Sequence, residues 1–340
     1  VYWQAIAYDT YENGGWQIAG DTDAQLYFPE DGPIKVPGTA SRETVNYRVH
    51  NYIPNSSFIY SAPEILAVDK QIFVDGTVDD QENTLITSTR SRFVLRQGDV
   101  YNVTSRMSTA DAENLRLAGL GYPEWVTDRY LQVPETVTEE TIALAADLTA
   151  PYDNSFDKTI AVRDYLRSNI SYNDQIEAPP DDVEPVHHIL FETQEGYCNY
   201  YASAMAMMLR SQGVPARVVS GYAQGDFDEA SSSYRVRASN AHTWVEVYFP
   251  LYGWIQFEPT VSIPTVDRPE SSGGDAFASP VVDRTPEGLE EENPQDLLED
   301  ELRGGLDVNV DPVQDTFWST FPIWQTVTAV VILLVAAGLL

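Results

Sequence analysis

Over the first 120 residues, apolar and polar positions alternate with period two in short runs. Residues 2–8 and 45–50 show this most clearly, and runs at 71–74, 83–87, 93–96 and 100–104 follow. Successive side chains of a strand point to opposite faces, so each run predicts a β-strand with one buried side. Turn formers separate the runs: Glu12-Asn13-Gly14-Gly15, Glu30-Asp31-Gly32-Pro33, Asp75-Gly76 and Gln97-Gly98-Asp99. Strands this short and this closely spaced predict a β-sandwich-like domain over 1–122. It groups no titratable side chains at a catalytic spacing, so it reads as a packing or recognition domain.

After Pro123 the period changes. Thr138-Glu139-Glu140-Thr141 reads as the cap of a helix running through Leu148. Asn154 caps a second, with Ile160, Ala161, Val162, Tyr165, Leu166 and Ile170 at three-and-four spacing. A third helix is expected over 199–212, stopped by Gly213 and Pro215. Strands are expected at 217–222, 234–237, 243–249 and 254–257. The whole is an α+β chain, its second domain spanning 123–265.

From Ser262 the apolar pattern fades into Pro, Ser, Gly and acidic residues. A segment of this composition buries too little apolar surface to offset its ordering entropy, so 266–316 is expected to be a disordered acidic linker. Residues 317–340 then form a nearly unbroken apolar run led by Trp318 and Trp324, the pattern of a starting transmembrane helix with an aromatic belt. The chain begins on Val1 and ends inside that run. It reads as a fragment of a longer protein.

Charge narrows the partners. The 340 residues carry a formal net charge of −32. Residues 261–316 hold 15 acidic and 3 basic side chains and account for −12 of it. Such a chain has little with which to neutralise phosphates, which argues against nucleic acid. The acidic side of the apolar run, poor in Lys and Arg, favours the outer face of a membrane.

Cys198 is the sole cysteine, so no intramolecular disulfide explains it. It stands in Gly196-Tyr197-Cys198-Asn199-Tyr200-Tyr201-Ala202, at the start of the third helix. Unpaired N–H groups at a helix start, and a histidine nearby, both favour a thiolate. His242 opens the strand 243–249, and Glu258 follows the strand 254–257. A hairpin joining these two strands sets the start of one beside the end of the other, which brings His242 to Glu258. The carboxylate would then fix the imidazole tautomer and stabilise its cation. Each residue also has a plainer reading. A lone cysteine near Met205 and Met208 is commonly a small core side chain, a strand histidine a structural group, and a strand-end glutamate a solvated one. Nucleophile, base and acid together favour chemistry over three coincidences.

The segment 196–202, followed by 209–217, resembles the nucleophile region of bacterial transglutaminase-like proteins. Segments 241–248 and 253–260 resemble the regions bearing that family's histidine and acid. The resemblance covers about 123–265 and implies a papain-like fold with a Cys198–His242–Glu258 triad, Glu258 standing where many members have Asp. It further implies thiol-dependent acyl transfer or amide hydrolysis on a protein or peptide, outside the cytoplasmic membrane and without a cofactor. The upstream β region, acidic linker and apolar run also resemble membrane-anchored members. The family includes crosslinkers, amidases, proteases and inactive members. A cysteine protease and a catalytically inactive membrane-anchored recognition or scaffolding module are therefore the alternatives.

In the catalytic reading the Cys198 backbone N–H is an oxyanion donor. The Tyr172 hydroxyl is a second candidate, with packing as its other role. His187 and His188 are adjacent and have no second ligand pair at metal spacing, so no metal site is expected.

Overall fold

The computed structural model describes residues 1–271 apart from 181 and 267. Eight antiparallel strands form its main sheet: β1 (Trp3–Tyr8), β2 (Asp23–Tyr27), β3 (Ser56–Phe58), β4 (Ile72–Val78), β5 (Thr84–Leu95), β6 (Ala216–Tyr222), β7 (Ala241–Phe249) and β8 (Gly253–Phe257). Their order in space is β8-β7-β6-β1-β5-β4-β2, with β3 beside β5. A second sheet joins Arg42–His50, Val100–Ser108 and Ile65–Val68. Ile59, Ile72, Val74 and Leu95 meet Ile65, Val68, Tyr101 and Val103 in one buried cluster, which gives this half its sandwich-like character.

The other half places helices on the sheet. Three matter for the site: α1 (Glu139–Thr149), α2 (Ser155–Asn169) and α3 (Cys198–Ser211). Thr138 and Asn154 cap α1 and α2 by accepting from the N–H groups of Thr141 and Asp157. α3 packs on β6 and β7 and buries Tyr201, Ala202 and the run Ala204–Leu209. β7 is buried from His242 to Phe249 because both its faces are covered. Val245, Val247 and Phe249 alternate with Trp244 and Tyr248, which meet Tyr2 and Trp125 respectively.

The expected division at 122/123 does not coincide with a break in the sheet. β1 pairs with β6 from Trp3↔Tyr222 to Tyr8↔Val218, and reaches β5 through Ile6↔Ser88. Val1–Ser272 is accordingly one compact unit. Without β1, β6 would be an open edge in the middle of the molecule. Gly221 permits the approach, since a Cβ there would lie 2.0 Å from the Trp3 carbonyl oxygen.

Two further expectations change. The strands expected at 83–87 and 93–96 merge into the single strand β5, Thr84–Leu95. Polar Thr87, Ser88 and Thr89 are buried and satisfied: Thr87 Oγ1 donates to the Asp75 carbonyl, Ser88 Oγ to the Asp75 carboxylate and Thr89 Oγ1 to the Ile59 carbonyl. The start of the acidic segment is also ordered. Val266 packs against the cluster of Tyr2, Ala7, Val219 and Trp244, and Arg268 stacks on Phe257 at 4.7 Å. The carbonyls of Pro269 and Glu270 accept from Ala112 and Glu113 at the start of a short helix. Docking onto that helix start supplies partners that composition alone does not reveal. The remainder of the expected linker, from 272, and the apolar run 317–340 lie outside the described residues. Among the described residues, no helix is long and apolar enough to cross a membrane.

Candidate active site

The β7–β8 hairpin sets the register that the site needs. Pairing runs from Phe249↔Gly253 to Val245↔Phe257, so the chain leaves β8 beside the beginning of β7. His242 and Glu258 thereby meet, with Nε2 of the imidazole 2.6 Å from Oε2 of the carboxylate. Both are almost fully buried, at 4% and 1% exposure. The second carboxylate oxygen, Oε1, accepts the Thr260 N–H at 2.8 Å.

Cys198 is the first residue of α3 and is buried at 6% exposure. Tyr197, in the capping position, supplies no side-chain bond to the first turn. Burial opposes a charge on His242, but hydrogen bonds to Cys198 and Glu258 outweigh it, and the imidazole is pushed up to about 9. With Nε2 held by Glu258, Nδ1 is the ring nitrogen left for the cysteine. The three residues singled out from the sequence thus converge, although 60 positions separate the first from the last.

Residues 142–259 match the family model described as the transglutaminase-like superfamily. The chain carries a transglutaminase-like domain. Over 276 residues, 76% of its length, it is 35% identical to the uncharacterized protein YebA of Bacillus subtilis, and the match spans 37% of YebA. Over 88 residues, 26% of the chain, it is 40% identical to a protein-glutamine gamma-glutamyltransferase of Pseudomonas aeruginosa, of which the match spans 13%. Its fold resembles the periplasmic domain of TgpA from the same organism with a TM-score of 0.57 at 24% identity, covering 76% of this chain and 81% of that one.

Tyr172 lies on a two-residue strand paired in parallel with Glu195–Gly196, immediately before the nucleophile segment. Its phenol is raised by burial, by the charge of Cys198 and by Asp174, and so stays a hydrogen-bond donor. The two adjacent histidines of the transglutaminase-like domain are occupied elsewhere. His187 Nδ1 is 3.1 Å from Thr138 Oγ1, and His188 Nδ1 is 2.5 Å from Glu192 Oε2.

Two supporting residues escaped the sequence reading. Arg167, in the last turn of α2, donates to the carbonyls of Glu258, Thr260 and Ile263 and so anchors the segment that carries the acid. Tyr2 donates its hydroxyl to Glu258 Oε2 at 2.6 Å across a separation of 256 residues. No local pattern marks either one: Arg167 reads as an ordinary cation at a helix C-terminus, and Tyr2 as a strand aromatic.

Proposed function

We propose that the transglutaminase-like domain is a thiol-dependent acyltransferase with Cys198 as nucleophile, His242 as general base and acid, and Glu258 as orienting carboxylate. The observation that carries this is the buried His242–Glu258 pair seated against a cysteine on the first residue of a helix. The Cys198 sulfur attacks a glutamine carboxamide carbon, with the developing oxyanion facing the Cys198 N–H and the Tyr172 hydroxyl. The C–N bond breaks, and the His242 imidazolium protonates the departing ammonia. A primary amine then attacks the thioester, His242 takes its proton, and the thiolate leaves. Similarity to a glutamyltransferase supports transfer to an amine over hydrolysis. The fold shared with a periplasmic domain supports action outside the cytoplasmic membrane on a protein or peptide, and the apolar composition of 317–340 supports a membrane anchor there.

The test combines thiol reactivity with product analysis. At pH 6 a free thiol is only about 0.3% ionised, whereas an ion-paired cysteine is largely thiolate. Iodoacetamide should alkylate Cys198 rapidly at that pH, and His242→Ala should slow it by at least about tenfold. A glutamine-donor peptide and a labelled primary amine should give an isopeptide product. Free-thiol rates unaffected by His242→Ala would sink the mechanism. Peptide cleavage without amine incorporation would instead make the domain a protease.

A further inference from the structure

We infer that Tyr2 is a positioning residue for the reaction, holding the Glu258 carboxylate against His242 from the opposite end of the chain. This rests on the catalytic reading above and deepens it.

Glu258 Oε2 accepts two hydrogen bonds, from the Tyr2 hydroxyl and from His242 Nε2, each 2.6 Å long. With the Thr260 N–H on Oε1, the carboxylate is held from three directions. The Tyr2 ring fills the space beside the pair, with its centroid 5.7 Å from His242 and 4.9 Å from Trp244. The imidazole and the indole are themselves stacked, 20° from parallel. A swing of the carboxylate away from His242 would therefore break the phenol bond as well as the imidazole bond.

The backbone is shaped to deliver this side chain. β1 enters the sheet beside β6 at Trp3↔Tyr222 and is bulged between Gln4 and Ile6. Gly221, which opposes Gln4 on one side and His242 on the other, admits the strand where any side chain would collide with it. β-Bulges and close-approach glycines are devices that re-aim a strand near a functional site.

The chemistry follows from the donor. Burial and the neighbouring Glu258 charge raise the phenol, so it stays protonated throughout the working range and donates permanently. A hydrogen bond to a carboxylate favours its charged form, and only a charged Glu258 holds the imidazolium. The titratable and charged groups facing Glu258 are Tyr2, His242 and Arg167, with Cys198 on the far side of the imidazole. Without the Tyr2 hydroxyl the carboxylate loses a bond that holds it against the imidazole, and the less well supported thiolate–imidazolium pair is lost at a higher pH.

The experiment measures the pH profile of Cys198 alkylation, together with kcat and KM for transfer, in wild type, Tyr2→Phe and Tyr11→Phe. Tyr11 is the control. Its hydroxyl makes an equally short 2.6 Å bond to a carboxylate, that of Glu184, away from the triad. Tyr2→Phe should move the acid limb of alkylation upward by about half a pH unit or more. It should also lower kcat by about tenfold with KM nearly unchanged. Tyr11→Phe should move neither. Should Tyr2→Phe fail to fold, 3-fluorotyrosine placed at position 2 alone decides: its more acidic phenol is a stronger donor and should move the acid limb downward.

A Tyr2→Phe profile superimposed on wild type, or an unmoved limb with fluorotyrosine, overturns the role of Tyr2 and leaves the triad standing. Wild-type alkylation at free-thiol rates, independent of His242, overturns both. An equal shift in Tyr11→Phe would reduce Tyr2 to a general stability contact and overturn the inference.

Discussion

Two buried glutamates serve the same hairpin, one within β7 and one just past the end of β8, yet they are built for different work. Glu258 meets the His242 end of β7, and Glu246 lies within it. Each is about 1% exposed and each is paired with a cation. Glu246 takes both Arg217 contacts on one oxygen, at 2.7 and 2.8 Å, while Arg217 stacks on Trp254 at 4.3 Å. Among the described residues the other oxygen of Glu246 has no partner. Glu246 also lines a cavity of about 70 Å³, with Arg42 and Glu64, that has room for a few waters. Glu258 has both oxygens bonded, and its cation can release a proton. Arg217 never does so in water, so the Glu246 pair can only hold structure. Burial and charge alone therefore do not mark a working carboxylate. A titratable partner facing a nucleophile does.

The broadest way to break this contrast is to neutralise each glutamate in turn. Glu258→Gln keeps the shape but removes the charge that supports the imidazolium. It should lower the transfer rate by about a hundred- to ten-thousand-fold, while the melting temperature falls by only a few degrees because the imidazole can shed its proton. Glu246→Gln should do the reverse. It leaves Arg217 buried without an ionic partner, which should cost about 3–5 kcal/mol of stability, with kcat near wild type below the new melting temperature. Calorimetry and steady-state kinetics on the same preparations read both. Loss of activity at unchanged stability in Glu246→Gln would erase the distinction.

How much of this was visible beforehand depends on range along the chain. The caps at Thr138 and Asn154, the helix that begins at Cys198 and the hairpin that joins His242 to Glu258 are local devices, and their residues announce them. The longest-range partner was invisible. Tyr2 reaches Glu258 through a strand pairing that no periodicity encodes, because alternation says which face a residue takes and not which strand lies next to it. The polar run inside β5 was misleading for a related reason. Ser88 and Thr89 read as a break between strands until Asp75 and Ile59 arrive from elsewhere to satisfy them. Thr260 and Arg167 belong to the same class, since their roles exist only once Glu258 is in place.

A second, smaller effect sharpens the comparison. Breaking one partner of a buried pair is costly, but replacing both with apolar side chains of similar volume is often neutral or favourable. Arg217→Met combined with Glu246→Leu should therefore recover the stability lost in Glu246→Gln and end within about 1–4 kcal/mol above wild type. Met preserves the contact with Trp254, and activity should survive. The corresponding apolar replacement of His242 and Glu258 should abolish activity whatever it does to stability. If the Arg217/Glu246 double variant were as unstable as the single one, the pair would be doing more than balancing charge.

The smallest effect is the dependence of stability on pH, and only the His242 pair should show it. His242 is raised from its ordinary value of 6.5 to about 9 by the hydrogen bonds to Cys198 and Glu258, against the opposing pull of burial. A folded-state value above the unfolded one means that the native state holds its proton more tightly. The resulting stabilisation is fully present below about pH 6.5 and is lost as pH rises toward 9. Arg217 is raised above an already high value and keeps its charge across that window, so it contributes no slope there. The melting-temperature difference between wild type and His242→Gln should be flat below pH 6.5 and should shrink by roughly a few degrees by pH 9. The difference between wild type and the Arg217/Glu246 double variant should stay level. A His242 difference that grows with pH would mean that the imidazole is held neutral in the folded protein, and the contrast between a working pair and a structural one would lose its basis.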